Sequence, residues 1–468
     1  MSVKRPNILY ILPDQVSASI LPLYGRYKGI STPNIDRLAA QGVTLNNAVS
    51  TAPVCTPYRS MMMTGRHPLT TGHVINFVRT RNDEIGLGDA FARAGYRTGY
   101  VGKWHLHTGS FPEIDGRDYV PEGRDRLGWQ YWRGYNFHTD YFDGWVNRDD
   151  WRTERWKGYE TEGLATYTRE FLDTTPADQP FFLVVSPHQC HWTPYKFVPD
   201  AYYDRLPDKI ELTDNCVPEM ADKSRKMMRE YLAMLLAVDD MLGELLDQLD
   251  ATGRAEDTLV IFTSDHGTQF GAQGCDPWAK RVPYEESVRV PWVMRWPGRL
   301  APGTRNDTLL GPADIMPSLC TLCGVPIPRT VEGVDLSGPL FRGDPAPGQD
   351  AVLLMSFSNE YDFIADGDEW RGVRTPTHTY ARWLNGKCVL FDDTADPSQS
   401  RNLADDPDHA DLRAKLESTM QVLMQRRSDP FAHCSTYADW IDTNRRIVAN
   451  THGPLGNPED QPDWSLIQ

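Results

Sequence analysis

The sequence predicts an α/β protein, with a large, mostly parallel sheet flanked by helices, then a small C-terminal antiparallel sheet with one packed helix. Three observations predict it. Continuous apolar runs at Asn7–Leu12, Phe181–Val185 and Thr258–Thr263 alternate with helical patterns as far as about residue 325. Such runs suit parallel strands buried on both faces. Each of them ends in polar side chains able to do chemistry, and ligands bind at the carboxyl ends of strands in open α/β sheets. Past residue 350 the pattern changes to closely spaced strands separated by turns. A chain of 468 residues exceeds one compact core. The expected division is a large α/β domain over 1–350 and a small α+β domain with an irregular tail over 351–468.

Composition narrows the classes. Hydrophobic residues at 40% and charged residues at 24% are ordinary for a globular protein. A net charge of −16 argues against nucleic acid or an anionic membrane as the main partner. No apolar run is long enough to span a membrane. The polar start, Met1 to Pro6, leads directly into a strand and reads as no signal peptide, so a cytoplasmic protein is expected. Eight cysteines are too sparse for a disulfide framework. Cys320 and Cys323 fall on an amphipathic helix from Asp314 to Cys323. They read as core, because a structural zinc site needs four ligands and no second pair completes one.

The elements follow in order. Asn7–Leu12 delivers Asp14 and Gln15. Pro33 to Gln41 is a helix capped by Ser31 or Thr32 and stopped by Gly42. Leu87 to Ala94 is a helix closed by Gly95. Arg97 to Val101 is a strand leading to Lys103 and His105, which strand alternation places on one side. Gly109 to Gly163, rich in Trp, Tyr, Asp, Arg and Gly, lacks periodicity and reads as a long excursion suited to a polar ring substrate. Thr161 to Asp173 is helical. Phe181–Val185 leads to His188 and His191. Lys226 to Leu249 is a helix whose leucines at helical spacing are core, and it ends at Gly253. Thr258–Thr263 leads to Asp265, His266 and Gly267. Lys280 stands in the loop before a strand at Val290–Trp296. Arg342 to Gln349 reads as a linker or insertion. Strands at 351–357, 370–375, 379–384 and 387–391 and a helix from Asp408 to Arg426 complete the second domain. The tail from Ser428 is irregular, with Trp440 and Trp464, and is expected to wrap the domain or a neighbouring subunit of a homo-oligomer.

The stretch Thr51 to His67 organises the rest. Thr56 and Pro57 suit the first helical positions, which puts Cys55 at a helix N-terminus. Free N–H groups and the dipole favour negative charge there. Arg59, one turn on, reaches back to Cys55 or to an anion beside it. Cysteine, helix terminus and arginine together describe a reactive group beside an oxyanion. Asp14, Gln15, Asp265 and His266, from two strand ends, make a plausible ligand set for a divalent cation such as Ca²⁺, Mg²⁺ or Mn²⁺.

Cys55-Thr-Pro-Tyr-Arg59 with the later Thr64-Gly-Arg66 resembles the signature of the type I sulfatases, in the alkaline phosphatase superfamily. The resemblance runs from about Pro6 to Arg426. Its motifs stand in the family's order: Asn7 to Asp14, Ser31 to Leu38, the Cys55 segment, Gly102-Lys-Trp-His105, the strand before His191, Thr263 to Gly267, and Arg289 to Gly298. Leu390 to Ala404 is similar to the family's late segment.

The resemblance implies an alkaline-phosphatase-like fold and hydrolysis of a sulfate ester of a carbohydrate or other alcohol. It implies that a formylglycine-generating enzyme oxidises Cys55 to formylglycine, whose hydrate attacks sulfur. Asp14, Gln15, Asp265 and His266, with the modified Cys55, hold the metal, Ca²⁺ first. Arg59 orients the hydrate, and Lys103 and Lys280 neutralise the sulfate. His191, or else His188, supplies the proton to the leaving alcohol, and His105 takes one when sulfate is expelled. The chain departs from the family at two places. Gln15 and His266 stand where many sulfatases have Asp and Asn, which brings Mn²⁺ forward. His188-Gln-Cys-His191 shows two histidines where one is usual. Phosphonate monoester hydrolases share the Asp-Gln … Asp-His set, so a phosphonate or phosphodiester hydrolase is the alternative enzyme. An inactive binding protein of the same fold is a second alternative.

Overall fold

The computed structural model describes residues 5–108, 119–148, 152–342, 349–357 and 368–467. Ten strands form the large sheet: β1 Asn7–Ile11, β2 Val43–Ala48, β3 Arg97–Lys103, β4 Tyr131–Tyr135, β5 Trp145–Asn147, β6 Thr153–Arg155, β7 Phe181–Ser186, β8 Thr258–Thr263, β9 Trp292–Arg295 and β10 Thr304–Leu310. Their order is β10-β2-β9-β8-β1-β7-β3-β4-β5-β6. The neighbours β8, β1, β7, β3 and β4 are all parallel. Four of these, β8, β1, β7 and β3, stand side by side and carry Asp265, Asp14, His188 and Lys103 at or just beyond their carboxyl ends. Strands distant in sequence thereby bring their polar ends to one edge.

Alternation along β1 divides the core. Leu9 and Ile11 enter one cluster with the helices Pro33–Ala40, Glu160–Thr174 and Ala221–Ala251. Ile8, Tyr10 and Leu12 enter the other with the helices Cys55–Thr64, Leu87–Arg93 and Ile315–Cys323. Strands apolar on both faces follow from helices on both faces. Cys320 and Cys323 are buried in the second cluster, as expected. Thr32 is the N-cap of its helix but makes no side-chain cap. Asp239, on the long helix, accepts from the N–H groups of Asn34 and Ile35 instead.

Several sequence expectations are corrected. The strand expected at Val290–Trp296 is shorter, and it runs antiparallel to both β8 and β2. Strands β2 and β10 went unread. Thr304–Leu310 is an edge strand with an exposed first half, so no apolar run announces it. The excursion over 109–163 is not simply a loop, because β4 extends the parallel sheet beside β3 and β5 and β6 add a meander. Its residues 109–118 and 149–151 lie outside the described residues, as do 343–348 of the expected linker.

The second sheet has the strands β11 Val352–Ser356, β12 Trp370–Arg374, β13 His378–Trp383 and β14 Cys388–Asp392, antiparallel in simple order. Helix Ala410–Arg426 buries Leu416 and Met420 against it. The tail folds back over the chain's own large sheet region. Arg81 Nη1 donates to the Ile447 carbonyl (3.0 Å), Asn450 Nδ2 donates to the Thr70 carbonyl (2.7 Å), and the guanidinium groups of Arg93 and Arg124 lie over the Trp464 ring.

Candidate active site

Helix Cys55–Thr64 begins at Cys55 itself, with Val54 as N-cap, one residue earlier than the sequence reading placed it. Thr56 anchors this end, its N–H donating to Asn76 Oδ1 (3.0 Å) and its hydroxyl to the His105 carbonyl (2.7 Å). Gly65, at φ 65°, closes the helix. Cys55 is fully buried. Its Sγ lies 3.2 Å from His266 Nε2, 3.6 Å from Asp14 Oδ2, and 3.6 Å from both Lys103 Nζ and Lys280 Nζ.

The carboxylates and cations interlock beneath the thiol. Lys103 Nζ donates to Asp14 Oδ2. Arg59 Nε donates to Asp265 Oδ2 (3.0 Å), and its Nη1 donates to the Lys103 carbonyl (2.8 Å) and Ser186 Oγ (3.0 Å). Burial pushes the Asp14 carboxyl up, but Lys103, then His191, His266 and His188, outweigh it and hold it well below the usual range. Burial lowers His266, yet Asp265 and Cys55 raise it to about 9. A proton therefore sits on an imidazole facing two buried carboxylates, at a place where a cation could stand.

Asp14, Cys55, Asp265 and His266 are all buried and offer ligand atoms within 4.8 Å of one another. Two hard carboxylates and an imidazole fit a divalent cation. Gln15 has φ 65°. Its N–H donates to Asp265 Oδ1 (3.1 Å), and its Nε2 donates to the Trp278 carbonyl (3.2 Å). The amide nitrogen is thus held by the loop that carries Lys280, and the amide oxygen is the atom Gln15 can offer a cation.

Backbone carbonyls orient three histidines. Nδ1 of His188 meets the His138 carbonyl (2.6 Å), Nδ1 of His191 the Trp192 carbonyl (2.8 Å), and Nδ1 of His266 the Gly267 carbonyl (3.0 Å). Only a donor can bond a carbonyl, so each Nδ1 carries hydrogen; Nε2 of His188 and His191 is left for chemistry, and Nε2 of His266 is the position that would give up its proton to a cation. His188 and His191 are lowered well below the ordinary value, first by burial and then by the lysines Lys103 and Lys280 respectively. Neutral His191 therefore presents an Nε2 lone pair, 3.4 Å from Lys280 Nζ. His191, not His188, is the histidine joined to Lys280 and through it to Cys55.

His105 reaches the site for a reason other than strand alternation. β3 ends at Lys103, and His105 turns at φ 58°. Its ring is buried between Phe77 and Phe137, each 4.7 Å away by centroids. Burial, then Lys103 and Arg59, hold it neutral. Neither ring nitrogen has a hydrogen-bond partner.

The sequence reading missed Phe137 and Glu160. Half-buried Phe137, just after β4, also meets the rings of His188 and His191 and lies 4.9 Å from Lys103 Nζ. It roofs the site, and its non-periodic surroundings gave no signal. Glu160 lay in the excursion, one residue before the helix expected from Thr161, and is in fact the first residue of helix Glu160–Thr174. It is fully buried, and it accepts from the Tyr135 hydroxyl, His188 N (3.3 Å) and Gln189 Nε2 (3.0 Å).

Burial raises the Glu160 carboxyl to about 7 from 4.5, against those hydrogen bonds. The unfolded chain then loses this proton first as pH rises. Folding stability falls between about 4.5 and about 7 and levels off above, by roughly 3 kcal/mol. Glu160→Gln, neutral throughout, is expected to remove that loss. Melting temperatures of both proteins from pH 5 to pH 8 should diverge in the variant's favour, and a constant difference would refute the shift.

Comparison with known proteins bears on the family and the fold. Residues 6–325 match the Sulfatase family model, and residues 275–426 match the model described as N-sulphoglucosamine sulphohydrolase, C-terminal. The chain is 34% identical over 436 residues to the ulvan-active sulfatase of Formosa agariphila, covering 91% of this chain and 82% of that one. It is 30% identical over 488 residues to the endo-4-O-sulfatase of Bacteroides thetaiotaomicron, covering 92% and 93%. A solved structure from work on glycosaminoglycan metabolism by Bacteroides thetaiotaomicron superposes with a TM-score of 0.81 at 25% identity, covering 93% of this chain and 99% of that one. A phosphonate monoester hydrolase of Silicibacter pomeroyi shares the fold, with a TM-score of 0.70 at 22% identity, covering 91% and 96%. The chain thus belongs to the sulfatase family of the alkaline phosphatase superfamily, as a sulfuric ester hydrolase.

Proposed function

We propose that the enzyme hydrolyses a sulfate ester on a carbohydrate, using Cys55 after its oxidation to formylglycine by a maturation enzyme. The observation that carries this is the Cys55 Sγ, buried within 3.6 Å of Asp14, Lys103, His266 and Lys280. That sulfur marks where the nucleophilic oxygen of the modified residue would stand. The names of the relatives, which act on ulvan or as an endo-4-O-sulfatase, support a carbohydrate.

Asp14, Gln15, Asp265 and His266 would hold one divalent cation, Ca²⁺ first, with Mn²⁺, brought forward by the imidazole, or Mg²⁺ as alternatives. When present, the cation polarises the sulfate and the formylglycine hydrate offers the attacking oxygen. The chain's own residues do the rest. Lys103 and Lys280 bind and neutralise the sulfate oxygens. Arg59 is spent on Asp265 and the Lys103 carbonyl, so it orients the site rather than the ester. Lys280 Nζ and His191 Nε2 share the proton that the leaving alcohol needs. His105, held neutral, accepts a proton when sulfate departs. The cytoplasm is the compartment we propose, since eight cysteines in 468 residues are too sparse for the disulfide framework common in secreted chains.

Matched esters test this reading. Turnover of a sulfated sugar, 4-nitrophenyl sulfate and a phosphonate monoester should rank the sulfates far above the phosphonate, and the reverse order would move the enzyme to the phosphonate branch. His191→Ala is expected to slow the sugar sulfate by roughly 10²–10⁴-fold. It should slow 4-nitrophenyl sulfate far less, because nitrophenolate leaves without a proton. An equal loss on both would take the proton from His191.

A further inference from the structure

Among the described residues, the exposed large hydrophobic side chains are Trp192, Tyr195, Val334, Leu384 and Val422. The two aromatic ones stand in a single loop, one and four residues after His191. Trp192 is 46% exposed and Tyr195 61%.

This loop is anchored on both sides of the exposed rings. The Tyr141 hydroxyl donates to the His191 carbonyl (2.8 Å), and His191 Nδ1 bonds the Trp192 carbonyl. Thr193 is buried, and its hydroxyl donates to the Thr139 carbonyl (2.7 Å). The Tyr195 N–H donates to Thr193 Oγ1 (3.1 Å). Beyond it, the Phe197 ring stacks on Trp278 at 6.1 Å and 8°, and the Tyr159 hydroxyl donates to the Phe197 carbonyl (2.6 Å). Trp278 stands two residues before Lys280. The loop is thus fastened to the two elements that carry His191 and Lys280. Its backbone is fastened, Thr193 points in, and its two largest rings point out.

Exposed aromatic rings on a fixed backbone lose little conformational entropy on binding. Their faces suit the C–H face of a sugar ring, with the Tyr hydroxyl and Trp N–H available to sugar hydroxyls. His191 and Lys280 serve the leaving alcohol, so a loop continuing from them lies on the leaving-group side. We propose that Trp192 and Tyr195 form a binding platform for the sugar unit next to the one that bears the scissile sulfate. The enzyme then prefers sulfated oligosaccharides to sulfated monosaccharides. The inference rests on the carbohydrate reading above and extends it to a second sugar.

Sulfated hexasaccharides cut from ulvan and from a glycosaminoglycan, with the matching sulfated monosaccharides, are the probes. Wild type should favour one hexasaccharide over its monosaccharide in kcat/KM. Trp192→Ala and Tyr195→Ala should each raise KM for that hexasaccharide about tenfold with kcat retained, and Tyr195→Ala should leave 4-nitrophenyl sulfate turnover unchanged. No change on the hexasaccharide, or an equal loss on long and short substrates, would overturn the platform. Calorimetric binding of the hexasaccharides to the Cys55→Ser chain separates this from the activity itself. If no sulfate ester is turned over, the carbohydrate sulfatase reading fails, while hexasaccharide binding weakened tenfold by Trp192→Ala still supports the platform. Binding that ignores both rings overturns it. So does a double variant that changes the oligomeric state, since a second copy would then cover the rings.

Discussion

Cys55→Ala is expected to abolish sulfate ester hydrolysis, by on the order of 10⁴-fold or more, while the chain still folds. Loss of a covalent nucleophile removes a whole reaction path, not one favourable contact. The structural cost is smaller. One buried sulfur is lost, about 1–2 kcal/mol by the usual scale for small deletions in a core. His266, Lys103 and Lys280 lose a neighbour, but Lys103 keeps Asp14 and His266 keeps both carboxylates. Activity and thermal melting should therefore part company. The mass of the Cys55 peptide from wild-type enzyme gives the second readout. An aldehyde lighter than the thiol is expected in protein made with a maturation enzyme. Retained turnover in the alanine variant would sink the covalent mechanism.

Metal removal should give the second-largest effect and the same separation. Dialysis against a chelator is expected to lower hydrolysis at least about 100-fold, since a bound cation contributes several kcal/mol of charge stabilisation in the transition state. The stripped chain should stay folded. Asp14 is paired with Lys103, Asp265 with Arg59, and the proton on His266 adds a further positive charge. By contrast, Asp265→Asn removes the nearer partner of a buried ion pair and leaves the Arg59 guanidinium only the Asp14 carboxylate, at 3.7 Å, which Lys103 already holds. That variant is expected to lose roughly 3–5 kcal/mol of stability, as breaking a buried pair commonly does. Melting curves of chelated wild type and of Asp265→Asn make the comparison. Restoring activity with Ca²⁺, Mn²⁺ or Mg²⁺ in turn identifies the ion. Full activity in a metal-stripped sample would take Asp14 and Asp265 out of the metal role.

Much of the site was legible because its residues sit where local pattern is strongest. Asp14, His188 and Asp265 each follow an apolar strand, and a buried parallel strand is the easiest element to read from one sequence. Cys55 was legible from Pro57 and Gly65, which bracket a helix by backbone chemistry alone. The second sheet was legible because its antiparallel strands pair with sequence neighbours, β12, β13 and β14 through short turns, and need no partner distant in sequence. Other elements lacked such signals. β10 is half exposed and polar, β4 lies in an aromatic stretch without period, and the helix cap at Asn34 and Ile35 comes from Asp239, some two hundred residues away.

The sequence by itself determined the fold class, the place of Cys55 at a helix N-terminus and the list of charged groups, since these rest on periodicity, capping and residue type. Only the tertiary structure decided how those groups are used. It made His191 the partner of Lys280, oriented three histidine rings by bonding each Nδ1 to a backbone carbonyl, and committed Arg59 to Asp265. It also buried Glu160 beneath His188, roofed the site with Phe137, and turned Trp192 and Tyr195 outward. Each of these depends on which distant strands lie side by side and on how far burial strips water from a charge. Neither quantity is present in the order of the residues.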